Sequence, residues 1–272
     1  MLKEQERLER EQKLLKRKAL GILGRQPLPL SLLADEEDFV KQMNQKQGKI
    51  AQMVGAGVES RDIAKLRPGQ WLNDEVINFY TKLILKRSDE ALEKRASEVK
   101  RYWNGIWNVW TFTSFFWEKL TNGGYSGVRA WTRKVDIFTK DLILLPINMG
   151  QMHWVCAAIN MRKCRFEYYD SMHGRNRAIF TILRNYLQSE YADKKKESAG
   201  PLLLSGWTNY YSKQSPSQSN GFDCGVFASM TLEQLKDGIE EEEEEWNFSQ
   251  TDMPYLRRRM VYEIAKTKLM NE

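Results

Sequence analysis

The segment SQSNGFDCGVFASMTLEQL, residues 217–235, sets a cysteine between a turn and a helix. Asn220-Gly221 is a tight-turn pair, and the apolar run that follows Asp223 has helical spacing. Cys224 therefore stands in the first turn of the predicted helix. A thiol that only packs needs no such corner. A thiol that attacks does, because unpaired N–H groups and the positive end of the helix dipole favour the thiolate. Gly225 would leave room beside the sulfur for a substrate backbone. Free cysteines are most often buried and inert, so position rather than residue type carries the argument. Gln218 lies six residues earlier. Its amide could donate to the oxygen that turns negative when a thiolate attacks a carbonyl. A glutamine in such a polar stretch is ordinarily just solvated, so spacing alone does not assign it.

A partner for the thiol is found upstream. DLILLPIN (141–148) is a continuous apolar run, as in a strand covered on both faces. HWVCAAIN (153–160) and CRFEYYD (164–170) read as two further strands, with NMRK (160–163) as the turn. An antiparallel hairpin centred between Met161 and Arg162 would set His153 opposite Asp170. Directly opposed side chains have Cβ atoms about 4.5–5.5 Å apart, within reach of a carboxylate–imidazole hydrogen bond. Such a bond fixes the tautomer and favours the imidazolium. Alone, His153 would read as a core histidine and Asp170 as a turn former; the register pairs them. A one-residue bulge would undo that pairing. His173, in DSMHG, reads as exposed and without a chemical role.

The remaining segments bound the fold. Residues 1–20 read as a charged helix and 24–33 as a Pro-containing connector, so 1–33 is expected to be an arm and 34–272 the catalytic domain. Residues 34–54 carry an amphipathic helical pattern. Further on come a short strand, a Pro68-Gly69 turn, and a helix capped by Asn73 or Asp74. Val76, Ile77, Phe79, Tyr80, Leu83 and Ile84 give that helix a broad apolar face. VWTFTSFFWEKL (109–120) reads as strand, then helix. AIFTILRNYLQSEYADKKK (178–196) and MPYLRRRMVYEIAKTKLM (253–270) are helices, and Gly238 would stop the helix that begins near Asp223. Strands and helices mix without βαβ alternation, so the class is α+β. Trp103, Trp107 and Trp110 are assigned to core packing, and the glutamates at 240–245 to a solvated loop.

Composition narrows the chemistry. Three cysteines, without a CxxC pair, argue for a reducing compartment and against a disulfide framework. The spacing of Cys156, Cys164, Cys224, His153 and His173 fits no zinc pattern, and attack by a thiol activated by a histidine needs no metal and no cofactor. The net charge is +6, but residues 1–25 hold eight Lys/Arg against four Glu, which leaves the body nearly neutral. Nucleic acid is therefore not an expected partner. KLLKRK (13–18) has the composition of a nuclear-import patch, although a solvated helix face explains it as well. No apolar run long enough to span a membrane is present, and the N-terminal stretch lacks the apolar core of a secretory signal.

WLNDEVINFY, VDIFTKDLILLPINMGQMHW, YYDSM and QSNGFDCGVF, in that order, together resemble the SUMO-specific cysteine proteases, the ubiquitin-like-protein protease family with a papain-like core. MPYLRRRMVYEIAKTKL resembles the C-terminal helix of the animal members. The resemblance runs from about residue 35 to the end. It implies a mixed central sheet flanked by helices, with Cys224 as nucleophile, His153 as general base and Asp170 as the residue that orients the imidazole. It implies Gln218 as the oxyanion donor, and Trp71 and Trp154 as the walls of a tunnel that admits the Gly-Gly end of SUMO. Asp74 matches an acidic residue that helps hold the SUMO tail. The tunnel has a physical logic: two indole faces can sandwich a backbone only where the threaded residues lack Cβ atoms.

The expected partners are SUMO precursors and SUMO-conjugated proteins, acted on by a monomer. The expected location is the nucleus, with the cytoplasm as a second site, and not the secretory route. Residues 93–110 are longer and more aromatic than the family pattern, and 240–245 look like an insertion. Three alternatives stay open: a protease for a Nedd-type modifier, a thiol acyltransferase, and a silent SUMO-binding module.

Overall fold

The apolar run that opens at Leu142 becomes the second strand of a five-stranded sheet. In the computed structural model, residues 27–97, 107–195, 200–212, 214–235 and 246–270 are described. The charged arm over 1–20, most of 93–106, Gly238 and the glutamate run lie outside those residues. The strands are β1 (Lys49–Met53), β2 (Ala56–Glu59), β3 (Val109–Thr111), β4 (Leu142–Met149), β5 (His153–Asn160), β6 (Arg165–Tyr169) and β7 (Thr208–Tyr211). β1 and β2 form a separate hairpin; the main sheet has the order β3-β4-β5-β6-β7. Its two central pairings are antiparallel and its two edge pairings parallel.

The longer helices are α1 (Ala34–Gln45), α2 (Asp74–Ser97), α3 (Phe115–Val128), α4 (Arg177–Lys195), α5 (Cys224–Leu235) and α6 (Met253–Lys266). Strand alternation sorts the core into two halves. Leu142, Leu144, Trp154, Cys156 and Ala158 join α2, α5 and α6 on one face of the sheet. Ile143, Leu145, Ile147, Val155, Ala157 and Ile159 join α3 and α4 on the other. A mixed sheet between two helical layers is the α+β architecture that the sequence pattern predicts. Helix α5 is buried over its whole length, which explains its uniformly apolar first turns. Among the described residues, no helix is long and apolar enough to cross a membrane.

Three expectations are corrected. The helical pattern over 34–54 breaks at Gln45; Lys49–Met53 is a strand instead. Gly48 and Gly55 take positive φ on either side of it, which ends the helix and turns the hairpin. Strand β7 lies where the sequence pattern predicts no strand, because Thr-Asn-Tyr-Tyr is a half-exposed edge without apolar alternation.

The third correction is the register of the β5–β6 hairpin. Cys156 pairs with Tyr169 and Asn160 with Arg165, so the loop is Met161–Cys164 and its centre falls between Arg162 and Lys163. Cys164 adopts φ 49°, and the Asn160 side chain accepts from the Lys163 N–H at 3.0 Å, which closes the longer loop. Extended past the ladder, this register sets Asp170 diagonal to His153 rather than opposite. The shift is even, so both still belong to one face.

Candidate active site

The turn before Cys224 is closed by a side chain. Asn220 Oδ1 accepts from the Phe222 and Asp223 N–H groups, each at 3.1 Å, and its amide donates to Asp223 Oδ2 at 2.7 Å. Gly221 does not use a positive φ here; the asparagine makes the turn. Helix α5 then starts at Cys224 itself, with Asp223 O accepting from the Val226 and Phe227 N–H groups. The Asp223 carboxylate, by type a helix cap, is engaged by Arg257, Asn220 and Gln250. The positive end of α5 is thus left to the Cys224 thiol, which is 2% exposed.

His153 opens β5 at the end of the sheet where α5 begins. Its Nε2 meets Asp170 Oδ1 at 2.7 Å. Burial pushes the Asp170 pKa up, but hydrogen bonds from His153, from the Met172 N–H and from Tyr168 outweigh it and hold the carboxyl below its ordinary value. An ionised carboxylate only accepts, so the proton of this bond belongs to Nε2. The other ring nitrogen, Nδ1, is buried and is not engaged by Asp170, which leaves it to Cys224. Its lone pair is the one available to a thiol proton. The His153 pKa is raised from 6.5 to about 9, first by the hydrogen bond to Asp170, then by Cys224 as hydrogen-bond partner and charge, against the opposing effect of burial. The three residues therefore form one electrostatic unit, with a diagonal contact in place of the expected opposed one.

Asp170 is held from several sides. The Met172 N–H donates to Oδ1 at 2.8 Å, and the Tyr168 hydroxyl to Oδ2 at 3.3 Å. Gly174 passes so close that a Cβ there would lie 2.5 Å from Oδ2. Replacing Gly174 with alanine would push the carboxylate off His153. A misplacement of about 1 Å at a catalytic group costs on the order of 100-fold in rate. The expected outcome for Gly174→Ala is a fall of roughly 10- to 100-fold in kcat with little change in KM, read from steady-state kinetics on a folded variant.

Gln218 sits on the same frame. Its backbone N–H donates to Ser171 O at 2.9 Å, and its Oε1 accepts from Ser171 Oγ at 2.6 Å. Its Nε2 gives one hydrogen to Asn220 O at 2.5 Å and carries a second. The amide is thereby oriented by the residue that follows Asp170 and by the turn that precedes Cys224. His173 is exposed, as read from the sequence.

The two tryptophans are joined through Leu72. Trp154, 4% exposed, donates its Nε1–H to Leu72 O at 2.9 Å; Trp71, the neighbour of Leu72, is 46% exposed. Gly225 has its space occupied by Leu72: a Cβ there would come within 2.8 Å of Leu72 Cβ. That corrects the reading of Gly225 as room for a substrate. Its missing side chain lets the 71–72 segment lie against the start of α5. Asp74 begins α2 and accepts from Ser114 Oγ at 2.5 Å. Ser114 is itself held by Asn78, which accepts from its N–H and donates to its hydroxyl. Asn73 caps α2, accepting from the Val76 N–H at 3.3 Å.

Ser171, Leu72, Gly174 and Ser114 were not singled out in the sequence. Of their contacts only that of Gly174 with Asp170 is local in the chain; the others join distant segments. Among the described residues, no group of three or more His, Cys, Asp or Glu side chains is placed to hold a metal ion.

A family model described as the Ulp1 protease family, C-terminal catalytic domain, matches residues 70–269. A sentrin-specific protease of Caenorhabditis elegans is 40% identical over 212 residues, which cover 77% of this chain and 27% of that protein. Sentrin-specific protease 2 of Homo sapiens is 35% identical over 211 residues, covering 77% of this chain and 32% of the relative. The chain thus spans about a third or less of the length of these curated relatives. Among solved structures, the C-terminal Ulp1 protease domain in complex with Smt3, the yeast ortholog of SUMO, aligns with a TM-score of 0.67 at 26% identity. That alignment covers 89% of this chain and 98% of the solved one. The Chaetomium thermophilum Ulp1-like SUMO protease catalytic domain, at 23% identity and a TM-score of 0.73, has the same fold over 90% of this chain and 94% of its own.

Proposed function

The chain belongs to the Ulp1 protease family, and from that premise we propose that it is a thiol endopeptidase and isopeptidase that cleaves after the C-terminal Gly-Gly of SUMO. His153 Nδ1 takes the Cys224 proton, and the thiolate attacks the carbonyl of the terminal glycine. Gln218 Nε2 and the Cys224 N–H donate to the oxyanion. The imidazolium then protonates the leaving amine, which is a substrate lysine or the tail of a precursor. Water, losing its proton to His153, hydrolyses the thioester and restores the thiol. Precursor maturation and deconjugation follow from one reaction. Trp71 and Trp154 wall the slot through which the Gly-Gly segment threads, and Asp74 holds the SUMO tail.

The observation that carries this reading is the coupling of Cys224, His153 and ionised Asp170 at the head of a buried helix. The relatives named as sentrin-specific proteases and the Smt3-bound neighbour support SUMO as the modifier. Residence in the nucleus belongs to the same proposal, supported by the resemblance and by the KLLKRK sequence.

The test uses a SUMO precursor, a SUMO–lysine conjugate and C-terminal vinyl-sulfone probes of SUMO and of a Nedd-type modifier. Cleavage of the first two and an adduct on Cys224 with the SUMO probe are expected, and both vanish in Cys224→Ala. An adduct with the Nedd-type probe alone would reassign the substrate. Cleavage that survives the substitution would refute the mechanism.

A further inference from the structure

Helix α6 carries three consecutive arginines, and each does something different. Arg258 pairs with Glu37 of α1, and Arg259 with Glu263 within its own helix. Arg257 is 3% exposed and reaches the turn before the nucleophile. Its Nε and Nη2 donate to Asp223 Oδ1 at 2.9 and 2.7 Å. Nη2 also donates to Phe222 O at 3.1 Å, so both residues before Cys224 are held.

The rest of the guanidinium faces another segment. Nη1 donates to Lys65 O at 3.2 Å and to Arg67 O at 3.1 Å, and Nη2 to Gln70 O at 2.9 Å. These carbonyls bracket the Pro68-Gly69 turn, in which the Gln70 N–H donates to Arg67 O and Gly69 takes φ +77°. The next residue is Trp71. One buried cation thus ties the segment that carries one wall of the slot to the segment that carries the nucleophile. The Trp154–Leu72 hydrogen bond and the Gly225–Leu72 contact make the junction from the other side.

A planar fork with five N–H donors can hold two segments at a fixed separation and angle. A lysine, a point charge on a flexible stem, cannot do both. We propose that Arg257 is a positioning residue for the reaction, setting Trp71 in register with Cys224 through the 65–70 carbonyls. It touches neither substrate nor the reacting atoms. Its loss leaves the Cys224–His153–Asp170 unit competent and misaligns the slot above it. The inference rests on the SUMO protease reading for its kinetic consequence, and on the hydrogen-bond pattern alone for its structural one.

The test compares wild type, Arg257→Lys and the double variant Asp223→Asn/Arg257→Gln. The double variant leaves no unpaired charge in the interior, the condition under which loss of a buried ion pair is best tolerated. Three quantities are read: kcat/KM on a SUMO precursor, alkylation of Cys224 by iodoacetamide at pH 6, and amide hydrogen exchange of residues 65–72 against 153–160.

The expected result is a fall of about 100-fold in kcat/KM, with alkylation within about threefold of wild type. Exchange should rise at least about tenfold over 65–72 and stay unchanged over 153–160. Unchanged cleavage and exchange would overturn the proposal. So would cleavage and alkylation falling together, because Arg257 would then act on the nucleophile turn alone. Failure of both variants to fold would overturn it too, by making Arg257 a requirement of the fold. Should wild type itself leave the SUMO precursor intact, the functional reading falls, while exchange and alkylation still decide the role of Arg257.

Discussion

Replacing His153 by alanine is expected to lower kcat/KM on a SUMO precursor by about 10⁴-fold, at the upper end of what one acid–base group contributes. In the proposed mechanism two roles are lost together. The Cys224 proton no longer has an acceptor, because Nδ1 is the ring nitrogen left over once Nε2 has bonded Asp170. The leaving amine also loses its proton donor. The imidazole ring is half-buried at a strand end, and Asp170 keeps the Met172 N–H and the Tyr168 hydroxyl as donors. Folding should therefore survive, with Tm within about 5 °C of wild type. Iodoacetamide alkylation of Cys224 at pH 6 should slow in parallel. A variant that keeps rapid alkylation would show that the helix terminus alone activates the thiol.

Asp170→Asn should cost about 10³- to 10⁴-fold in kcat, the range expected when an orienting carboxylate becomes an amide and no longer enforces the tautomer. The pH dependence separates this from a simple loss of packing. The hydrogen bond to Asp170 is the largest cause of the raised His153 pKa, about 9 in the folded protein. Without it, the imidazolium survives only to lower pH. The alkaline limb of kcat/KM, placed near pH 9 in wild type, should move down toward the ordinary histidine value of 6.5.

Stability should follow the same pair. A histidine whose folded pKa is raised contributes fully below 6.5, and that contribution disappears as pH climbs to about 9. An aspartate whose folded pKa is lowered contributes fully above 3.8 and loses that contribution as pH falls further. The Tm difference between wild type and Asp170→Asn should therefore be widest between pH 3.8 and 6.5 and narrow by pH 9. A difference that stayed constant across this range would mean that charge is not what binds the two residues.

Much of this site was legible in the sequence because its signals are local. Chain pattern alone places a helix start near Asp223, strands over 141–148 and 153–160, the Pro68-Gly69 turn and a helix cap at Asn73 or Asp74, since each depends on neighbours within a few residues; the structure settles the cap on Asn73. The His153–Asp170 pairing was legible in face but not in register. Strand parity survives an even shift, so the two residues were placed together even though the loop is longer than composition suggests. The helical reading of 49–53 failed because an isolated five-residue strand has no period of its own beyond its partner β2.

What the sequence determined by itself is the chemical inventory: a thiol at a helix start, an imidazole and a carboxylate on adjoining strands, and an amide six residues before the thiol. Tertiary structure alone decided how these pieces meet. It chose Nδ1 as the nitrogen left for sulfur, Ser171 as the anchor of Gln218, and Leu72 as the bridge between the tryptophans. It also sent Arg257, rather than Arg258 or Arg259, to the nucleophile turn. The reason is geometric. Three adjacent helical residues are alike in type but point about 100° apart, and which direction faces a distant carbonyl is set by packing, not by the residue's own neighbours.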